Sequence, residues 1–273
     1  MSPVRSVSSE SSGADPARAF AGVAGAYDRA RPSYPLDAAR WLVDDPEAVV
    51  LELGARTGKL TEQLAAVAHR IIATDPLEPM LEQLRHRVPH AAVARASAEA
   101  IPMAARSVDA VVVGQAFHWF DQASTLPEIA RVLRPGGRLA LVWNLRDERV
   151  PWVRRLSAAL GGPEPLSDPT HALLSSHLFG YVETAEFRFW QPLDRDRLRD
   201  LVRSRSYIAA RPEAEQQQVL AAVDRIYDDY AHERDGVLLP YRTLCYRAVV
   251  RAPAVPDDDR GEPDDGSLII DFP

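Results

Sequence analysis

The sequence predicts an α/β protein built on a doubly wound, mostly parallel sheet, and three observations carry that expectation. Its strongest apolar runs are short and do not alternate, as in VVLEL (49–53), IIAT (71–74) and VDAVVVG (108–114). Strands of that kind are covered on both faces by helices. Helical periodicity separates them, with Leu60, Leu64 and Val67 on one face of one such segment. The alternation then repeats regularly, which favours an open parallel sheet with right-handed crossovers.

Taken in order, residues 1–16 are Ser/Gly-rich and read as a flexible leader. Residues 17–30 suit a short helix ended by Arg31-Pro32, because the residue before proline avoids the helical region. The strand at Val49–Leu53 leads into a helix from Gly58 to about His69. A strand at Ile71–Thr74 follows, then a helix at Leu77–Arg87 whose start, Asp75-Pro76-Leu77-Glu78, reads as N-cap, proline and early acid. Ala91–Ala94 is a weak strand and Val108–Gly114 a strong one. A helix to about Leu133, an RPGG turn (134–137) and a strand at Arg138–Asn144 come next. Beyond them, Glu183–Trp190 reads as a strand, and Val237–Val250 as a last, antiparallel strand reaching an edge of the sheet. One domain, 17–251, is therefore expected, with helical lid insertions near 147–182 and 194–232 and an acidic tail at 252–273.

Composition narrows the function classes. The net charge is −7, but the tail from Ala252 holds seven acids and one arginine, so it accounts for most of that charge. A Pro/Asp/Gly-rich segment of this kind is expected to be disordered, although it ends in the apolar SLIIDFP. The remaining body has no basic excess, which argues against general nucleic-acid binding. One cysteine, Cys245, precludes an internal disulfide and fits a reducing compartment. No apolar run approaches a membrane span, and the leader lacks a signal-peptide core, so a cytoplasmic protein is expected. His86 and His90 stand four apart, but Pro89 interrupts the helix that would align them, and no metal site is expected.

The chemistry is sought where ligands of such sheets bind, beyond the C-terminal ends of the strands. A dinucleotide turn needs G-x-G-x-x-G, whereas from Gly54 those positions hold Gly54, Arg56 and Lys59. The pattern acid-x-G-x-G-x-G fits better, reading Glu52, Gly54, Arg56 and Gly58. That turn resembles motif I of the class I S-adenosylmethionine-dependent methyltransferases with a Rossmann-like fold, type-11-like small-molecule group. AYDRARPSYP (26–35), IIATDPLEPML, ASAEAIPM, SVDAVVVGQAFHWFD and LRPGGRLALVWN extend the resemblance across roughly residues 18–145. HWF after the fourth strand is similar to the trans-aconitate methyltransferase-like branch.

The resemblance implies a site. Asp75, 21 positions after Gly54, would accept the ribose hydroxyls of S-adenosylmethionine; by its local pattern it is equally a helix start. Met80 would pack on adenine or simply in the core. Ser97, Ala98 and Glu99 would hold the adenine edge, and Glu52, Gly54, Ala55, Arg56, Gly58, Pro76 and Gln115 complete the cofactor surface. Tyr27 and Arg31 would close over the methionyl end, Arg31 on its carboxylate; otherwise they pack and solvate. His118 is a candidate general base or a hydrogen-bonding wall residue. Trp119 would supply apolar wall, and Asn144 would orient substrate or satisfy a loop carbonyl. The arginines between 195 and 211 read as a solvated amphipathic helix, with Arg203, Arg205 and Tyr207 available to an anionic substrate.

The expected reaction is methyl transfer to a small-molecule acceptor, at a carboxylate or hydroxyl oxygen. The alternative is a binding module impaired by Arg56 in place of the middle glycine. If that position requires a left-handed backbone, the non-glycine residue costs about 1–2 kcal/mol.

Overall fold

A computed structural model of the chain describes residues 31–163, 168–231 and 236–251. Tyr27, the helix expected at 17–30 and the acidic tail lie outside them. The elements run α1 (Leu36–Leu42), β1 (Val49–Leu53), α2 (Lys59–Ala65), β2 (Arg70–Asp75), α3 (Glu78–Arg87), β3 (Ala92–Arg95) and β4 (Val108–Gly114). A 3-10 turn (Phe117–Trp119) precedes α4 (Gln122–Val132), β5 (Leu133–Arg146), α5 (Pro151–Ala159), α6 (Thr170–Ser175) and β6 (Phe179–Leu193). Then come α7 (Arg195–Arg203), α8 (Ser206–Ala209), α9 (Glu213–Tyr230) and β7 (Val237–Val250).

These strands make one seven-stranded sheet in the order β3-β2-β1-β4-β5-β7-β6. β1 to β5 pair in parallel, and β7 runs antiparallel to both β5 and β6. The fold is thus the doubly wound, Rossmann-like one expected, with an antiparallel pair at one edge. β7 stands one place inside that edge, and β6 is outermost.

The unalternating strands do face two apolar layers. Leu51, Val111, Val113 and Leu141 point to the side of α4, where Leu126, Ile129 and Val132 meet them. Val50, Val112, Ala140 and Val142 point to the other side, against Ala39 and Leu42 of α1 and Leu60 and Leu64 of α2. A third cluster joins α5, α7 and α9 to Val237, Leu239 and Tyr241 of β7, so the late helices have a core of their own.

Local expectations shift in three places. RPGG is not a turn before a strand but lies inside β5, where pairing jumps from Val108↔Leu133 to Ala110↔Arg138. Gly136 has φ 81, and a Cβ on Gly137 would stand 2.9 Å from the Arg134 carbonyl oxygen, so this excursion depends on glycine. The N-cap of α3 is Leu77 rather than Asp75, with Pro79 in the first turn. Asp75 instead accepts the Leu77 N–H at 2.9 Å, ahead of the helix. β6 begins at Phe179, inside the stretch expected to be helical and looped.

Candidate cofactor and acceptor site

Each glycine position of the acid-x-G-x-G-x-G pattern is left-handed: Gly54 at φ 68, Arg56 at φ 51 and Gly58 at φ 82. The motif therefore records three backbone requirements. Space separates them further. A Cβ on Gly54 would lie 2.8 Å from Cβ of Ala116, and one on Gly58 would lie 2.9 Å from Cγ of Leu84. Arg56 meets the first requirement at the cost of strain, about 1–2 kcal/mol, and is half-buried with the turn intact. The binding-module alternative, which rested on this residue, finds no support.

The turn is tied to the end of β2. The Ala55 N–H donates to the Thr74 carbonyl at 2.9 Å, and the Arg56 N–H donates to Oδ2 of Asp75 at 3.0 Å. Asp75 is buried, which raises its pKa, while the Leu77 and Arg56 N–H groups and the Arg56 charge oppose the rise. Each carboxylate oxygen keeps a second acceptor direction, so a ribose hydroxyl can still be received. Met80 is buried with Leu81 and Leu84 on the core face of α3. Ala98 is buried in the main core and Ser97 is half-buried, whereas Oε1 of Glu99 accepts the Asp121 N–H at 3.2 Å.

A cavity opens beyond the ends of β1, β4 and β5. Glu52, Gly54, Ala55, Arg56 and Thr57 line it from the first turn. Gln115, Asn144, Arg31, Arg205 and Tyr241 line the remainder. Glu52 is fully buried and accepts from Oγ1 of Thr61 at 2.6 Å. Desolvation lifts its carboxyl to about 8, against the pull of Thr61 and with a further push from Asp75. Asn144 serves the scaffold: its amide donates to the Ser33 carbonyl at 2.9 Å and its oxygen accepts from Thr243 at 2.7 Å. The Gln115 amide in turn donates to the Asn144 carbonyl at 2.9 Å. Arg31 donates to the Ser204 carbonyl at 3.1 Å, joining the leading segment to the end of α7.

Several expected residues stay off the cavity wall. His118 and Trp119 are exposed on the 3-10 turn after β4. Partial burial and then the Arg56 charge lower the His118 pKa. Arg203 leans 3.7 Å from Asp200 on the flank of α7, and Tyr207 is exposed. Arg205 is the arginine that enters. α7 ends at Arg203, and the Arg205 N–H turns back to the Val202 carbonyl at 3.1 Å, carrying its side chain inward. The sequence offers Arg203, Arg205 and Tyr207 alike to an anionic substrate, beside the reading of a solvated helix, and of the three Arg205 lines the cavity. Tyr241 and Arg146 were not anticipated at all, because they sit in strands that read only as sheet.

Known proteins agree with this architecture. A family described as "Methyltransferase domain" matches residues 51–141. An uncharacterized methyltransferase of Mycobacterium tuberculosis is 41% identical over 239 residues, covering 86% of this chain and 97% of that protein. The chain belongs to the S-adenosylmethionine-dependent methyltransferases. This methyltransferase is also 30% identical over 230 residues to the trans-aconitate 2-methyltransferase of Azoarcus sp., across 75% of this chain and 88% of that one. A solved candidate type II methyltransferase from Anaeromyxobacter dehalogenans superposes with a TM-score of 0.59 at 26% identity, covering 81% and 97% of the two chains.

The residues fit the donor, S-adenosylmethionine. Gly54, Ala55, Arg56 and Thr57 of the turn line the cavity, and Asp75 has acceptor capacity to spare. Oγ1 of Thr57, buried on the cavity wall, has no hydrogen-bond partner among the described residues. A buried hydroxyl in that condition costs free energy until a ligand meets it.

Proposed function

We propose that this methyltransferase transfers its methyl group to an oxygen of a small-molecule acid, the acceptor lying in the cavity beyond the strand ends. The observation that carries this reading is the charge of the cavity. Arg31, Arg56, Lys59 and Arg205 line it, and Glu52, the one carboxylate among its described lining residues, is held up to about 8. Cationic side chains outnumber carboxylates among these lining residues, a composition that favours a carboxylate over a cationic amine. The identity to a trans-aconitate 2-methyltransferase supports the same class.

Asp75 would hold the ribose, Gly54 to Gly58 the approach of the donor, and Ser97 with Ala98 the adenine edge. Arg31 and the Thr57 hydroxyl would serve the methionyl end. Bound S-adenosylmethionine supplies an electrophilic methyl group whose C–S electrons stay with sulfur as the oxygen–carbon bond forms. The protein contributes alignment and exclusion of water. A carboxylate releases no proton, so no base is required of the chain. His118 would act only for a hydroxyl acceptor. The layer of α5, α7 and α9 would form the lid that selects the acceptor. A single cysteine leaves no internal disulfide to form, which supports a cytoplasmic reading. No helix among the described residues is long and apolar enough to cross a membrane.

The test is a panel of acids, phenols, alcohols and amines incubated with S-adenosylmethionine. S-adenosylhomocysteine release and product mass are the readouts. Methyl esters are expected, and methylation confined to nitrogen or carbon would refute the reading.

A further inference from the structure

Two side chains on the cavity wall come from places that have nothing to do with the cofactor motifs. Arg205 lies between α7 and α8, and Tyr241 lies in β7, in register with Arg146 of β5. All three are buried, at 6%, 1% and 4% exposure respectively. Tyr241 is fixed in place, its ring stacked on Phe189 with centroids 5.1 Å apart and planes 11° from parallel. Arg146 is fixed by donating Nε–H to Oγ of Ser157 at 3.1 Å. The Tyr241 hydroxyl faces this cationic setting and has no hydrogen-bond partner among the described residues.

The electrostatics agree with the packing. Burial and then the nearby charges of Arg31 and Arg146 push Arg205 down to about 9. Like-charged guanidinium groups collected in a desolvated place repel one another and lose hydration. An acid group in the cavity would lie against the Arg205 guanidinium, and the Tyr241 hydroxyl would regain the hydrogen bond that burial removed. Arg146 opens toward a separate surface cleft, so it acts from behind Arg205 and not as a direct contact.

We propose that Arg205 and Tyr241 form a second carboxylate subsite, backed by the charge of Arg146, that holds an acid group of the acceptor other than the one methylated. This rests on the acid-acceptor reading and sharpens it. The methyltransferase selects acids with two or more carboxylates, and its product is a monoester that still carries charge. Monocarboxylates of equal length reach the donor but are not held in register. The methionyl carboxylate of the donor is the rival occupant, and it makes the opposite demand on cofactor affinity.

The experiment compares butyrate, succinate and tricarballylate with wild type, Tyr241→Phe and Arg205→Met. It reads thermal protection in the presence of S-adenosylhomocysteine, turnover, and S-adenosylhomocysteine affinity by calorimetry. Tyr241→Phe keeps the stacked ring and removes only the hydroxyl, so it remains informative if Arg205→Met fails to fold. The expected result is that succinate and tricarballylate protect wild type while butyrate does not. KM for the di- or tricarboxylate should rise at least about tenfold in Tyr241→Phe, with S-adenosylhomocysteine affinity changed by less than about threefold. A parallel loss of S-adenosylhomocysteine affinity would give the subsite to the cofactor and overturn the proposal. Equal methylation of butyrate and succinate would also overturn it while leaving the acid-acceptor reading standing. If no acid is bound or methylated and other acceptors are, the broader reading fails with it.

Discussion

The Arg56 N–H donates to Oδ2 of Asp75 at 3.0 Å, so the one non-glycine residue among the three left-handed positions of the turn is also the one that fastens the turn to the acid of β2. Two backbone groups depend on this carboxylate, because its Oδ1 takes the Leu77 N–H. Asp75→Ala strands both N–H groups and should destabilise the fold by about 1–3 kcal/mol. S-adenosylhomocysteine affinity should fall more than about tenfold. Asp75→Asn, which keeps one acceptor oxygen, should lie between. Denaturant unfolding and calorimetric titration check both effects; an Asp75→Ala protein with wild-type affinity would remove the ribose role.

Arg56 and Gly54 share a backbone region but not a neighbourhood. Arg56→Gly relieves a φ of 51° and should raise stability by up to about 1 kcal/mol. Cofactor affinity should change less than about tenfold, or 1.4 kcal/mol. Gly54→Ala meets both a φ of 68° and the Ala116 side chain at 2.8 Å. It should cost more than about 2 kcal/mol and abolish tight cofactor binding. Effects of equal size and opposite sign would show that the turn is limited by backbone strain and not by space.

Glu52 gives the donor site a pH dependence whose sign follows from its raised pKa of about 8, against the ordinary 4.5. Between those values the folded state holds a proton that the unfolded state has released. Stability from this group is therefore lost as pH rises from about 4.5 toward 8. Glu52→Gln should flatten that fall and be more stable than wild type near pH 8. A cationic sulfonium favours the ionised carboxylate, so S-adenosylmethionine should bind more tightly as pH rises to 8 and displace a proton. Its neutral product should show less of this trend. Calorimetry in buffers of different ionisation enthalpy measures the proton directly. Equal slopes for donor and product would place Glu52 away from the charge.

His118 separates carboxylate from hydroxyl acceptors. Partial burial and the Arg56 charge keep its pKa below the ordinary value, so the imidazole is neutral at pH 7. With a carboxylic acid acceptor, His118→Ala should change turnover less than about threefold and leave the shape of the pH–rate curve alone. With a phenol, the loss should approach about 10²-fold or more on the alkaline side of the His118 pKa. An acidic limb in ester formation that disappears in His118→Ala would contradict base-free transfer.

The sheet was legible because its evidence is local. Val49–Leu53 and Val108–Gly114 have the bounds that the sequence indicates, since an unalternating apolar run has few other uses, and Val237–Val250 keeps its expected bounds as well. The donor half of the site was legible for a related reason: three left-handed positions two residues apart leave a pattern even with Arg56 in the middle. The wall formed by Arg205 and Tyr241 left no pattern, although Arg205 is among the residues offered to an anion. Arg205 is distinguished from Arg203 only by where α7 stops, and Tyr241 from other strand tyrosines only by its partner Arg146. Asn144 does satisfy a loop carbonyl, that of Ser33, as one of its two expected roles had it, but its second bond, to Thr243, left no sign in the sequence. Such roles arise from contacts between residues far apart in sequence, such as 111 positions from Ser33 to Asn144, and periodicity carries no trace of them.

The placement of β7 between β5 and β6 also sets an order in time. The glycine turn, β2 and β4 are all made by residue 114, but the strand that carries Tyr241 is complete only at Val250. At ordinary translation rates the interval is on the order of ten seconds. Throughout it β5 has no partner on its far side and β6 has none at all, because β7 is the neighbour of both. A nascent chain can therefore complete its glycine turn long before the cavity wall that carries Tyr241 exists, and a ribosome stalled before Val237 holds a polypeptide able to form the turn but lacking that wall.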